Sequence, residues 1–99
     1  MDFNYKGFKL LCQTPCYELL DWLFDQLKEL YDTENIAYFP RWAYFKGDNP
    51  VCLVAHLDTV HQVSVKEMYI EPEKQIIQSP QGIGGDDRCG VWIILKVLQ

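Results

Sequence analysis

Between positions 16 and 30 the apolar residues Cys16, Leu19, Leu20, Leu23, Leu27 and Leu30 recur at spacings of three and four, while Glu18, Asp21, Asp25, Gln26 and Glu29 fall mostly on the other side. That is the period of an amphipathic helix, and it predicts one over residues 15–31. Thr14-Pro15 suits its start, because a threonine N-cap accepts from a free backbone N–H and proline fits the first helical position. Trp22, Phe24 and Tyr31 widen the apolar face, as packing on a sheet requires.

The pattern then changes. Residues 36–46 are aromatic and β-prone, with Pro40 forcing an edge, a bulge or a break between two short strands. Gly47-Asp48-Asn49-Pro50 reads as a turn, and Val51-Cys52-Leu53-Val54-Ala55 is a short apolar run that suits a buried strand. Strand, turn and strand predict a hairpin across the 47–50 turn, hence a mixed sheet. Residues 63–70 and 75–78 read as two more strands around the turn Glu71-Pro72-Glu73-Lys74. After the glycine-rich segment 82–85, Asp86 and Asp87 open a helix whose dipole favours acids at that end. Nearly every later position to Leu98 is apolar, which predicts burial on most sides. No glycine cap or trailing proline follows.

At 99 residues with 48% apolar positions, the chain makes one domain, residues 1–99, with a modest core. The net charge of -5 comes from fourteen scattered acids and nine bases that form no cluster, which sets nucleic acid and anionic membranes aside. No apolar stretch approaches a membrane span, and Met1 to Lys6 lacks the layout of a signal peptide, so a soluble, cytoplasmic protein is expected. Cys12, Cys16, Cys52 and Cys89 lie scattered through apolar segments and read as buried thiols rather than a disulfide frame. Cys12 and Cys16 are a poor zinc pair, because no second close pair of ligands accompanies them.

The chemistry concentrates at two places. In a strand, residues i and i+2 project to one side, so Asp58 can reach the His56 imidazole, fix its tautomer and leave the other ring nitrogen for a metal. A hydrogen-bonded histidine beside a turn aspartate would look the same locally. Asp86, presented after Gly84-Gly85 at a helix start, puts a second carboxylate into the crevice at the strand ends, where the sites of open α/β sheets collect.

Together, Ala55-His56-Leu57-Asp58-Thr59-Val60 and Gly82-Ile83-Gly84-Gly85-Asp86-Asp87-Arg88-Cys89-Gly90-Val91 resemble the amino-terminal part of the co-catalytic zinc exopeptidases. These include peptidase T, the aminoacylase and carboxypeptidase relatives, and the related tetrahedral aminopeptidases. The order of helix, hairpin and His-x-Asp element matches from about residue 14. The resemblance implies an α/β class, with a mixed β-sheet flanked by helices as part of an α/β/α sandwich. It further implies that His56 binds one zinc, that Asp86 bridges two, and that Asp58 orients His56 as the catalytic aspartate without touching metal. Arg88 stands where relatives often carry lysine, and the peptide after the bridging aspartate is expected to be cis.

In that family a water held between two zincs attacks the peptide carbonyl with a glutamate as general base. The family's adjacent glutamate pair, further acidic ligand and late histidine have no counterpart here. No Glu-Glu pair exists; His61 reads as a solvated turn histidine, and Glu71 and Glu73 as a solvated hairpin tip. Three expectations follow. The chain is the amino-terminal portion of a zinc-dependent exopeptidase acting on small peptides, completed by another segment or chain. Alternatively it is a catalytically inactive, peptidase-like binding or assembly module, or it self-associates to build a site from two copies of His56 and Asp86. In each case a missing strand leaves an open sheet edge and a missing helix an apolar patch near Trp92, Ile93 and Leu95, so a partner or oligomer is expected.

Overall fold

The computed structural model describes residues 4–61 and 64–99. Helix α1 spans Tyr5–Gln13, α2 Cys16–Leu27 and α3 Gly85–Leu98. Strands β1, Ile36–Tyr38, and β2, Ala43–Phe45, form one antiparallel pair; β3, Tyr69–Glu71, and β4, Ile76–Gln78, form another. The chain is thus of the general α/β class, with three helices and small strand pairs among the described residues. Val63, where the predicted third strand begins, and Met1 to Phe3 of the amino-terminal reading lie outside the described residues.

Helix α1 has no counterpart in the sequence reading. Asn4 caps it, its side-chain oxygen accepting from Gly7 N–H at 3.0 Å. Phe8, Leu11 and Cys12 then form one buried stripe. Gly7 lets the helix approach α3, since a Cβ there would lie 3.0 Å from the Trp92 ring. Phe8 meets Trp92 edge to face at 5.7 Å. Thr14 is therefore the cap at the end of α1, not the N-cap of the next helix. Its hydroxyl donates back to the Leu10 carbonyl at 2.6 Å. Helix α2 starts instead from the Pro15 carbonyl, which accepts from Glu18 and Leu19. It ends at Leu27, and a 3-10 turn over Lys28–Leu30 replaces the last predicted turn.

The core lies between α1, α2, α3 and the segment around Val65 and Met68. Leu11 and Leu19 are fully enclosed, joined by Leu23, Leu27, Val91 and Leu95. The Tyr5 hydroxyl donates to the Met68 carbonyl at 3.0 Å and Gln13 donates to Lys66 at 3.2 Å, fastening α1 to that segment.

The predicted hairpin forms one turn earlier than expected. Pro40 breaks residues 36–46 into β1 and β2, and Phe39 N–H donates to the Trp42 carbonyl at 2.9 Å around Pro40-Arg41. Proline favours that position, since its fixed φ suits the start of a turn and no ladder donor is lost. Because β2 pairs back onto β1, residues 51–55 have no strand to join. They form no strand, and Val51 to Val54 are exposed where a buried strand was expected; among the described residues, 51–55 make no backbone-to-backbone hydrogen bond. The two strand pairs accordingly stand apart where one mixed sheet was expected. The second hairpin forms with shorter strands than expected and turns at Pro72 to Gln75 rather than Glu71 to Lys74: residues 64–68 are not strand, Glu73 is exposed at the tip, and Glu71 belongs to β3 and accepts from Gln78 at 2.8 Å.

In α3 only one face is covered, contrary to the expected burial on most sides. Arg88, Val91, Trp92 and Leu95 are buried, whereas Ile93 and Val97 are exposed. The open apolar surface consequently does not centre on Trp92 and Leu95. Of the cysteines, only Cys12 is buried; Cys16, Cys52 and Cys89 are exposed, and all four are free thiols.

Candidate metal centre

From Ala55 to Val60 burial alternates along the chain. Ala55, Leu57 and Thr59 are half-buried, while His56, Asp58 and Val60 are exposed. The alternation is that of an extended strand with one face on the core, and it puts His56 and Asp58 on the same side. The His56 Nδ1 lies 3.1 Å from Asp58 Oδ1 and 3.0 Å from the Asp58 carbonyl oxygen. Its Nε2 lies 2.9 Å from Asp86 Oδ1. One imidazole is thus held between two carboxylates, and the residues singled out from the sequence meet at one point.

Asp86 reaches that point because the helix does not begin in a regular way. Gly84 adopts a left-handed conformation, φ 71°, which a side chain would strain, and Cβ there would also crowd Thr59 and the His61 ring. Asp86 and Asp87 then depart from helical angles, with a cis peptide bond between them, as the resemblance implied. Regular helix follows from Arg88, whose N–H donates to the Gly84 carbonyl. Asp87 turns back over Gly90, and its carboxylate occupies the space a Cβ there would need.

Electrostatics follow from the geometry. The hydrogen bond from Nε2 to Asp86 raises the His56 pKa above its ordinary 6.5; desolvation opposes it, and the Asp58 carbonyl and the charges of both carboxylates add to the rise. A proton on each ring nitrogen gives each carboxylate a donor. The same arrangement fits a cation in place of the Nε2 proton. Two ligands each about 2.0–2.1 Å from one tetrahedral zinc stand about 3.3–3.4 Å apart, a few tenths of an ångström beyond the 2.9 Å separation of the metal-free pair, and the neighbouring Asp58 would keep Nδ1 protonated and Nε2 free to bind. The donor set therefore suits two positions of a zinc site. Among the described residues no group of three or more His, Cys, Asp or Glu is placed to hold a metal ion: His56 and Asp86 offer two donors, Asp58 lies on the far ring nitrogen, and Cys12 and Cys16 build no centre of their own.

His61 is not the solvated turn residue expected. Half-buried, its ring packs 3.6 Å from where a Gly82 Cβ would stand, supporting the glycine loop rather than the carboxylates.

Arg88, which the resemblance marked only as standing where relatives often carry lysine, is the buried cation behind the site. The side chain is 3% exposed, and its guanidinium donates to the carbonyls of Leu57 at 2.9 Å, Leu11 at 2.6 Å and Thr14 at 2.7 Å. Burial pulls its pKa below the usual arginine value, partly countered by Cys16, Cys12 and Asp58. The available signal was slight: an arginine opening an otherwise apolar helix.

Beside the site runs a groove of about 1560 Å³, lined by apolar side chains of α2, β2, residues 51–57 and α3, with His56 and Asp58 on its wall. Compared with family models, curated proteins and solved structures, the chain matches none. No helix among the described residues is long and apolar enough to cross a membrane.

Proposed function

We propose that the chain is the amino-terminal portion of a zinc-dependent exopeptidase domain, whose missing ligands and general base come from a further segment or a second polypeptide. The observation that carries this reading is the His56 Nε2 to Asp86 Oδ1 approach of 2.9 Å, with Asp58 on the opposite ring nitrogen. Three polar residues from two separate sequence motifs meet at an exposed edge, two of them as candidate ligands and the third orienting the ring, which supports a partial metal site over a buried structural histidine.

In this reading His56 supplies a neutral Nε2, Asp58 fixes the tautomer and raises ring basicity, and Asp86 supplies a carboxylate able to bridge. Bound there, a pair of zinc ions would lower the pKa of a water and polarise the peptide carbonyl. The general-base glutamate would come from the complementing part. That part would also pair with residues 51–55, completing a mixed β-sheet flanked by helices in an exopeptidase-like sandwich. The exposure of Val51 (68%), Leu53 (49%) and Val54 (80%) supports it. An apolar run without ladder partners is the sequence of an interior strand, and the adjoining groove exceeds the roughly 300–1,000 Å³ of small-ligand pockets.

A second reading, a catalytically inactive binding or assembly module, draws support from the missing third ligand among the described residues. The two separate on mixing. With zinc and an exopeptidase catalytic segment carrying the Glu-Glu pair and the late histidine, the first reading predicts dipeptide hydrolysis that Asp86→Ala abolishes. A mixture that associates, holds zinc and stays inactive supports the second.

A further inference from the structure

We infer that Arg88 is a positioning residue for the metal centre: its buried guanidinium ties the Leu57 carbonyl to the end of α1 and so sets His56 and Asp58 opposite Asp86. The inference rests on reading His56 and Asp86 as metal ligands, and deepens it.

Its basis is connectivity. Leu57 lies between His56 and Asp58, and its half-buried side chain faces the core while theirs face outward. Residues 51–60 have no ladder among the described residues to fix their height or register. Among the described residues, the Arg88 Nε–H bond to the Leu57 carbonyl at 2.9 Å ties this backbone to a distant part of the chain, whereas the bonds that Val51 N–H donates to Asn49 and that the Asp58 carbonyl accepts from His56 are local. The same guanidinium uses Nη1 on Leu11 and Thr14, carbonyls at the end of α1. Those acceptors belong to a helix terminus whose carbonyls lack intrahelical donors. Arg88 also stands two residues beyond Asp86, on the turn that presents the second ligand. One planar group therefore references both halves of the site to one another and to the core.

A rigid fork is required for this role. Arginine spreads its donors in one plane and can hold separated carbonyls at fixed angles, whereas a lysine ammonium is a single point on a flexible stem. With the fork removed, the 56–58 stretch keeps its side chains but loses its distance from Asp86. Loss of such an orienting contact typically weakens metal binding about 10–100-fold.

The test titrates Co2+ into the chain and its Arg88→Met, Arg88→Lys and Leu95→Ala variants, reading the visible ligand-field spectrum and, separately, thermal unfolding. Leu95 is buried in the same helix and is neither a candidate ligand nor an acceptor of the Arg88 guanidinium, so L95A reports what lost stability alone does. The expected result is binding about tenfold or more weaker in R88M at a temperature where it is folded, an altered band shape partly recovered in R88K, and native binding in L95A. Native affinity and spectrum in both R88M and R88K overturn the inference while leaving the metal site standing. If the unaltered chain binds no Co2+, the metal reading fails. The positioning claim is then decided by the His56 ring proton shifts, which must move in R88K and not in L95A. Should neither Arg88 variant fold, the native Arg88 Nε–H proton decides: slow solvent exchange is expected, and exchange as fast as at Arg41 overturns the clasp.

Discussion

His56 and Asp86 stand thirty residues apart in the chain, yet Nε2 of one and Oδ1 of the other approach to 2.9 Å. An extended segment brings the imidazole, a left-handed glycine and an irregular helix start bring the carboxylate, and a buried arginine sits behind both. The first consequence concerns protons. Asp86 raises the His56 pKa in the metal-free chain, so Asp86→Asn should lower it toward 6.5, visible in a pH titration of the ring carbon protons by NMR. Because proton and metal compete for Nε2, zinc binding in the native chain should weaken as pH falls, beginning above 6.5. Affinity independent of pH between 8 and 6 would contradict it.

Gly90 should matter through its neighbour. Glycine to alanine inside a helix ordinarily stabilises by up to about 1 kcal/mol, but here the Asp87 carboxylate fills the space a Cβ would take. Gly90→Ala should therefore fall short of that gain, because the Asp87 carboxylate has to swing aside, and the full gain should appear in an Asp87→Ala background. Denaturant unfolding of the four members of that cycle gives the coupling.

The Cys12 thiol is pushed up to about 12, chiefly by burial, then by Cys89, with Arg88 opposing. At pH 8.5 it should resist alkylation while Cys16 and Cys52, both exposed, react, as mass mapping of the modified chain would show. The native chain keeps this proton after the unfolded chain, near 9, has given it up. Stability is thus undiminished below about pH 9 and falls as pH rises toward 12.

The open groove predicts association. Val54 is 80% exposed beside it and makes no buried contact to lose. Val54→Lys should change the chain's own stability by no more than about 0.5 kcal/mol while shifting sedimentation toward monomer. Concentration-independent monomer behaviour of the unaltered chain would argue against the proposed partner surface.

Several of these features were legible in the sequence and several were not, for physical reasons. Helix α2 announced itself because its 3.6-residue stripe, Leu19 to Leu27, is local. Helix α1 carried a comparable signal in Asn4, Phe8, Leu11 and Cys12, diluted by Gly7 and two lysines. Residues 51–55, apolar and suited to a buried strand, form none, and Val51 to Val54 stay exposed. Their pairing depends on partners elsewhere, and β2 turned back on β1 instead. The meeting of His56, Asp58 and Asp86 could be anticipated only by taking both motifs together. Arg88 could not: its acceptors lie 31, 74 and 77 residues away, and no spacing encodes them.

The account turns on whether His56 and Asp86 share a cation. The most direct measurement is a zinc titration of the 99-residue chain followed through its imidazole nitrogen resonances, repeated on Asp86→Ala. A shared cation gives a zinc-dependent shift of the His56 Nε2 signal, little change at His61, and binding at least about tenfold weaker in the variant. A His56 signal indifferent to zinc, or identical binding without Asp86, would contradict it.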